Sequence, residues 1–437
     1  MSRLEEPTNE ASAMQKEISA IAEQGGGRAT KVEQLIQQYC PDGVEYKKLG
    51  DVVSISRGAS PRPIQNYLTN EEDGIPWIKI GDVSANSKYI TSTAERITRE
   101  GASKSRFLNK GTFILSNSMS FGRPYILGID GCIHDGWISI CDFGASLNSD
   151  FLYYLLRSSD VQGYWISKAN SGGAVANLNS DIVRSTPIPV PPLPVQEEIV
   201  RILDTFAELQ AELQAELQKR LQQYNYYRDN LLSFEGRSDV KWKKLGDVAS
   251  IKTGRRFVRT DIRESGVPCF HYGDLYTYYG LTATQTKGYL DAELASKLRF
   301  AQPKDVVVVC AGENDMDIGV GVAWLGNEPA VVHDACCILH HDQNPRYISH
   351  FLRTHNYHLQ MKKYVKNGKI SSLPSSGLAN ALIPIPSLEE QERIATILDK
   401  FYALTTDITA GLPAEIEARR KQYEYYRDQL LTFKQKA

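Results

Sequence analysis

The chain has 437 residues, 42% hydrophobic and 23% charged, with 50 Lys/Arg against 52 Asp/Glu. This is an ordinary folded-protein composition with room for two to four domains, and it excludes a strongly basic or low-complexity chain. No apolar run reaches the ~18 residues that cross a bilayer, the opening residues lack the apolar stretch of a secretory signal, and seven cysteines without a CxxC pair fit reduced thiols, so a cytoplasmic chain with no membrane partner is expected.

Residues 1–24 place Ala11, Met14, Ile18 and Ile21 at helical spacing, and Gly25-Gly26-Gly27 breaks that pattern. A short helix over 31–39 is predicted next, stopped by the turn Cys40-Pro41-Asp42-Gly43. A mixed segment over 44–190 follows, with strand-like runs at Ile75–Ile80, Thr112–Leu115 and Trp137–Cys141 separated by Gly- and Asn-rich turns. It closes on Pro187–Pro194, where the prolines disfavour helix.

A long helix is predicted from about Val195 to Phe234, with Leu209, Leu213, Leu217 and Leu221 as an apolar stripe and Glu and Gln around it. Forty helical residues span about 60 Å, more than a globular domain needs, so the stripe requires a partner. The chain supplies one by repeating itself. KKLGDVVSISRG at Lys47 returns as KKLGDVASIKTG at Lys243, and GIPWIKIGDV at Gly74 as GVPCFHYGDL at Gly266. IPVPPLPVQEEIVRILDTF at Ile188 returns as IPIPSLEEQERIATILDKF at Ile383, and QYNYYRDNLLSF at Gln223 as QYEYYRDQLLTF at Gln422. The order is preserved, so one unit is duplicated in tandem. A second long helix is therefore expected over about Glu389–Phe433, antiparallel to the first, with the two modules at opposite ends about a pseudo-two-fold axis.

The twin helical segments PIPVPPLPVQEEIVRILDTF and QQYNYYRDNLLSF, with their second copies, resemble the conserved regions of the specificity subunits of type I restriction-modification systems. The resemblance runs from about Lys31 to the C-terminus. It implies an α+β fold in which two α/β target-recognition domains are joined by two long antiparallel, coiled-coil-like helices as an internal repeat. Residues 1–43 become an N-terminal helical segment, 44–190 and 240–386 the first and second target-recognition domains, and 191–239 and 387–437 the central and C-terminal conserved helical regions. It also implies a non-catalytic subunit that reads a split, asymmetric site on double-stranded DNA. Two methyltransferase subunits, which bind S-adenosylmethionine, and restriction motor-nuclease subunits, which use ATP and Mg, are the implied partners, and no cofactor is expected on this chain. Two other classes compete: a fused methyltransferase or nuclease, and a coiled-coil scaffold with two protein-binding modules.

The motifs speak against an enzyme. Asn344-Pro345-Arg346 lacks the second proline of an adenine methyltransferase loop. Gly319, Gly321 and Gly326 lack dinucleotide-loop spacing, and no GxxxxGK[ST] occurs. Asp42 and Glu45–Lys47 lie on one segment, whereas a metal nuclease needs them on neighbouring strands. His333, Cys336, Cys337, His340 and His341 divide between two faces of a strand, which spoils a single zinc site.

Base reading needs Arg for guanine and Asn for adenine. Arg57, Arg62, Asn117, Arg123 and Asn177 are the candidates in the first module, and Arg255, Arg256, Arg259, Tyr272, Asn314 and Lys369 in the second. All lie in polar, Gly-rich loops, where phosphate contact competes with base contact. The first module carries 15 Lys/Arg against 14 Asp/Glu and the second 18 against 13, while 191–239 carries 5 against 9. A polyanion is therefore expected at the modules rather than the helices. Tyr224, Tyr227, Arg228, Tyr423, Tyr426 and Arg427 are expected in helix packing and partner docking.

Overall fold

The structure, a computed structural model, describes residues 30–437 apart from 84–86, 118–120, 145, 170–176, 313–317, 367, 369 and 408–410. The helix expected within residues 1–24 and its glycine break lie outside the described residues. Packing divides the chain into two compact units, residues 1–211 with 418–437 and residues 212–417.

In the first unit, Thr30 and Glu33 cap the helix Lys31–Tyr39 reciprocally, satisfying two backbone donors that a helix start leaves open. Two five-stranded sheets follow. One runs in the order Ser54–Arg57, Trp137–Cys141, Phe113–Ser116, Pro124–Leu127, Tyr89–Ile90. The other runs Leu68–Thr69, Glu95–Ile97, Ile75–Ile78, Gly131–Ile133, Arg106–Leu108. Most pairs are antiparallel, and each sheet has one parallel pair, Tyr89 with Ile126 and Cys132 with Trp77. Pro41–Lys47 is a plain turn into the strand Tyr46–Lys48, which pairs with Pro187–Pro189 and so ties the module's two ends together.

The second unit repeats this topology, with four strands instead of five in its second sheet. Ala249–Thr253, Cys336–His341, Val306–Val309, Gly321–Trp324 and Thr282–Ala283 form one sheet, and Gly288–Leu290, Val267–Phe270, Ala330–Val332 and Phe300–Ala301 the other. The run of four valines is a central strand buried on both faces. Val306 and Val308 enter the core under the helices, and Val307 and Val309 the core between the sheets. The strand period also separates Cys337 from Cys336 into those two cores, and no metal-ligand cluster occurs among the described residues. Asn344 accepts from the backbone N–H groups of Arg346 and Tyr347 as a helix cap, with Pro345 in the first turn. Gly321 begins a strand in the segment 319–326.

The first long helix runs Leu193–Leu231, two residues earlier than predicted, because Pro194 sits in the first turn, where its missing N–H costs nothing. The second departs from expectation. Instead of one helix over 389–433 there are two, Leu388–Thr406 and Leu412–Leu431. Pro413 explains the break: within a continuous helix it would remove a hydrogen bond and press its ring on the carbonyl four residues back, whereas in the first turn of a new helix it is harmless.

Candidate nucleic-acid interface

Each module meets the helix that follows it through matching contacts. Asn148 caps the helix Ser149–Leu156 and Asn344 caps Pro345–Phe351. The backbone N–H of Asn148 donates to Gln196 Oε1 at 2.8 Å, and that of Asn344 to Gln391 Oε1 at 3.0 Å. Both glutamines are fully buried, and each also donates to a proline carbonyl, Pro191 or Pro386. Six residues beyond the cap, Tyr154 donates to Asp204 at 2.5 Å, and in the second unit His350 Nε2 lies 2.8 Å from Asp399. The QEEIVRILD signature is thus a clip. Its Gln holds the start of the module helix and its Asp holds the side chain six residues on.

The tyrosine motifs cross over. YNYYR of the first long helix packs in the second unit, where Tyr224 lies 3.1 Å from His350 Nδ1 and Tyr227 stacks on Phe401 with centroids 5.4 Å apart. YEYYR of the last helix packs in the first unit, where Tyr426 stacks on Phe206 at 5.6 Å. Both pairs of helices are therefore antiparallel. Burial pushes Tyr224 and Tyr423 up to about 12, so both stay neutral phenols. Arg228 and Arg427 are buried and pair with Asp229 and Asp428. Asp428 in turn accepts from Ser159 N and Oγ at 3.1 and 2.5 Å. Of the expected docking residues, Tyr224, Arg228, Tyr423 and Arg427 are thus consumed by the chain's own packing. The most exposed tyrosines of the motif are Tyr226 and Tyr425, 66% and 61% exposed.

Above this frame, each module carries a rim loop that passes through a glycine. A Cβ on Gly58 would lie 2.1 Å from the His134 carbonyl oxygen, and one on Gly254 2.2 Å from that of His333, so no larger residue fits without backbone movement. The backbone pairs match: Gly58 N to Trp137 O at 2.8 Å and Ala59 N to Ile133 O at 3.2 Å, against Gly254 N to Cys336 O at 2.9 Å and Arg255 N to Val332 O at 3.0 Å. Opposite each loop stands a His-Asp turn, in which His134 Nδ1 accepts from Gly136 N and His333 Nδ1 from Ala335 N.

The chemistry mounted on this shared backbone differs. In the first module Asp135 is a hub. Its carboxylate accepts from Ser60 Oγ at 2.9 Å and Arg62 at 3.1 Å and lies 3.0 Å from His134 Nε2. Its carbonyl accepts from Arg57 Nε at 3.1 Å and from Asn117 Nδ2 at 3.3 Å. Burial works against the Asp135 charge, but Ser60, His134 and Arg62 outweigh it and hold the carboxyl below its usual range. Beside the hub opens a cleft of about 400 Å³ lined by Arg62, Gln65, Trp77, Lys79, Glu95 and His134. Asn117 is buried and shapes the loop rather than facing outward, and its carbonyl accepts from Leu178 N, which brings the exposed Asn177 beside it. Arg123 is half-buried just before the strand Pro124–Leu127.

In the second module the same place is built of rings. His333 packs against Phe257 at 5.1 Å, His271 at 4.9 Å and Tyr272 at 5.2 Å. Burial lowers the pKa of both histidines, so the cluster is uncharged at neutral pH. Arg255, Arg256 and Arg259 are exposed around it, and Arg255 donates to the Lys297 carbonyl at 2.7 Å. Asn314 and Lys369 lie outside the described residues. The structure thus gathers Arg57, Arg62 and Asn117 on one hub and sets Tyr272 beside three arginines. The His-Asp turns went unrecognised in the sequence, although GCIHD and VVHD after matching strands are a repeat signal in their own right.

Comparison with known proteins agrees with this architecture. The model of the type I restriction modification DNA specificity domain matches twice, at residues 41–223 and 237–418. A type I restriction enzyme specificity subunit of Haemophilus influenzae is 30% identical over 417 residues, 89% of this chain and 96% of its own. The EcoR124I/EcoR124II specificity subunit of Escherichia coli is 33% identical over 315 residues, 68% of this chain and 73% of its own. A solved chain from work on complex assembly and conformational transition of the type I restriction-modification system shares the fold, with TM-score 0.61 and 18% identity over 89% of this chain and 97% of that one. With two matched domains, a duplicated frame and differing rims, the chain belongs to the type I restriction-modification specificity subunits, the DNA-recognising and non-catalytic members of their complexes.

Proposed function

We propose that the module over 44–190 reads one half of an asymmetric bipartite DNA target and the module over 240–386 the other. The observation that carries this reading is one backbone frame bearing two unlike rims, which is what two different half-sites require. Arginines on the rims supply bidentate contacts to guanine, each worth about 1–3 kcal/mol of discrimination. The modules are barely basic, so this chain alone neutralises few phosphates, and tight binding belongs to the complex. Two methyltransferase subunits carrying S-adenosylmethionine dock on the helical regions 191–239 and 387–437, where Tyr226 and Tyr425 face outward. Motor-nuclease subunits using ATP and Mg complete the assembly.

The helices set the gap between half-sites. Ala207–Gln218 reads AELQ three times. Removing one unit shortens a helix by about 6 Å and turns its far end by about 40°. A base pair advances about 3.4 Å and turns about 35°. Deleting Ala211–Gln214 therefore shortens the gap by one base pair. Methylation mapping of cells carrying the deletion with the methyltransferase subunit tests it. Unchanged half-sites with a shorter gap are expected, and an unchanged gap at full activity refutes the ruler.

A further inference from the structure

Arg57 and Arg255 donate to backbone carbonyls, whereas Arg62 pairs with a carboxylate, that of Asp135, at 3.1 Å. The pair adds little to the fold. Arg62 is 81% exposed, and ion pairs this open to water contribute little stability. Yet every polar group of Asp135 is tied down. Its N–H donates to Ser60 Oγ at 3.2 Å, and its carbonyl accepts from Arg57 and Asn117. One carboxylate oxygen accepts from Ser60 and the other from Arg62. A firmly seated acid thus grips a base that faces solvent.

A guanidinium carries five N–H donors in one plane. Arg62 uses one of them on Asp135, its one hydrogen-bond partner among the described residues, so most of the fork is open. Holding one donor restricts the plane of the group and removes part of the rotamer freedom that an unpaired arginine gives up on binding. The second module lacks this pairing. Four residues beyond its rim glycine, where the first module has Arg62, stands Val258, and Asp334 pairs with His333.

We propose that Arg62 reads a guanine in the half-site of the first module and that Asp135 is the positioning residue that aims it. Two free donors of the fork match the O6 and N7 acceptors that guanine presents in the major groove, whereas adenine puts an amino donor in place of O6. The proposal rests on the module reading above and adds which side chain discriminates, and which base.

The test uses the full chain with its methyltransferase subunit. Methylation mapping of the native chain gives the target, and binding of the purified complex to duplexes changed one base pair at a time gives the discrimination at each position. The first half-site should contain a G·C pair at which Arg62→Ala cuts the preference over A·T by roughly tenfold to a hundredfold. The other positions and the second half-site should not change. Arg62→Lys keeps the charge but not the planar fork, so it should lose the same preference. Asp135→Asn should lose part of it at the same base pair. Added to Arg62→Ala it should cost nothing more, because Asp135 acts through Arg62. Should Asp135→Asn not fold, Ser60→Ala, which removes one tie on the same carboxylate, replaces it in the cycle. The guanine assignment is overturned by a first half-site without a G·C pair, by full preference in Arg62→Lys, or by an Arg62→Ala loss that is uniform over all sequences with a shallower salt dependence. Additive losses in the double variant overturn the positioning role. A change of bases in both half-sites would instead contradict the module reading itself.

Discussion

The first module closes its rim with charge, and the second lines the same place with rings. Asp135 holds Ser60, Arg62, Arg57 and Asn117 in one network, whereas Asp334 at the matching position pairs, among the described residues, with its neighbour His333, itself packed among Phe257, His271 and Tyr272. The backbone beneath is nearly the same hydrogen bond for hydrogen bond. The contrast separates what the fold needs from what reading needs. Gly58 and Gly254, the Gln clips and the Asp anchors recur because a strand, a turn and a helix must meet. The exposed Arg62, Arg256 and Arg259 above them are free to differ, whereas Phe257, His271 and Asn117 are buried within their own modules.

The most disruptive change to this shared frame is Gly58→Ala or Gly254→Ala. Each pushes a methyl group into a backbone carbonyl, and overpacking of this kind costs about 1–3 kcal/mol or more. The two variants should lower the urea midpoint of the chain by similar amounts and each abolish methylation of its own half-site. A large effect in one module and none in the other would show that the frames are not equivalent.

Asp135→Ala and Asp334→Ala should differ. Losing the carboxylate frees Arg62 and Ser60, while Arg57 and Asn117 keep their hydrogen bonds to the backbone carbonyl of residue 135. Hydrogen bonds to charged groups are worth about 1.5–3 kcal/mol when buried, less here because Asp135 is partly exposed. Relaxed reading of the first half-site is expected from Asp135→Ala and little from Asp334→Ala. Mapped methylation at degenerate sites measures both, and equal relaxation in the two halves would erase the contrast. Smaller again, Arg256→Ala should relax one position of the second half-site and Arg123→Ala one of the first. A uniform loss over all sequences with a shallower salt dependence would instead mark either arginine as a phosphate contact.

Acid sharpens the comparison in another way. His271, His333, His341, His350 and His358 all lie in the second unit, and burial lowers the pKa of each, although Asp399 pulls against it at His350. A buried base with a depressed folded pKa takes up its proton only in the unfolded chain. Stability is therefore fully present above the unfolded value near 6.5 and falls as pH drops below it. The first unit has one histidine, His134. Its depressed carboxylates, Asp135 and Glu198, lose their contribution only at pH values below the ordinary carboxylate range. Between pH 7 and 5, hydrogen exchange should accelerate in the second unit before the first, and the reverse order would contradict the assignment.

Much of this was legible in the sequence because it is written twice. The repeated KKLGD, QEEIVRILD and YxYYRD blocks located both modules and the helices that pair them. The four-valine run and the Asn-Pro cap follow from local chemistry. What escaped notice was set by distance along the chain. Asp135 meets Arg57 and Ser60 across more than seventy residues, and the last helix returns to the first module so that Val44 N donates to Lys434 O. The tyrosine motif shows the same limit. Its helical spacing announced packing, but which tyrosines turn inward depends on a helix almost two hundred residues away. The broken second helix had a visible cause in Gly411 and Pro413, which the strength of the repeat concealed.

One exchange tests the central claim, that the frames are interchangeable and the rims do the reading. Residues 44–190 are replaced by 240–385, so that both positions carry the second module, and methylation is mapped in cells with the methyltransferase subunit. The account predicts a working complex whose target contains the second half-site twice, at the original gap. A folded complex that still methylates the original first half-site, or that recognises a half-site belonging to neither module, would contradict it.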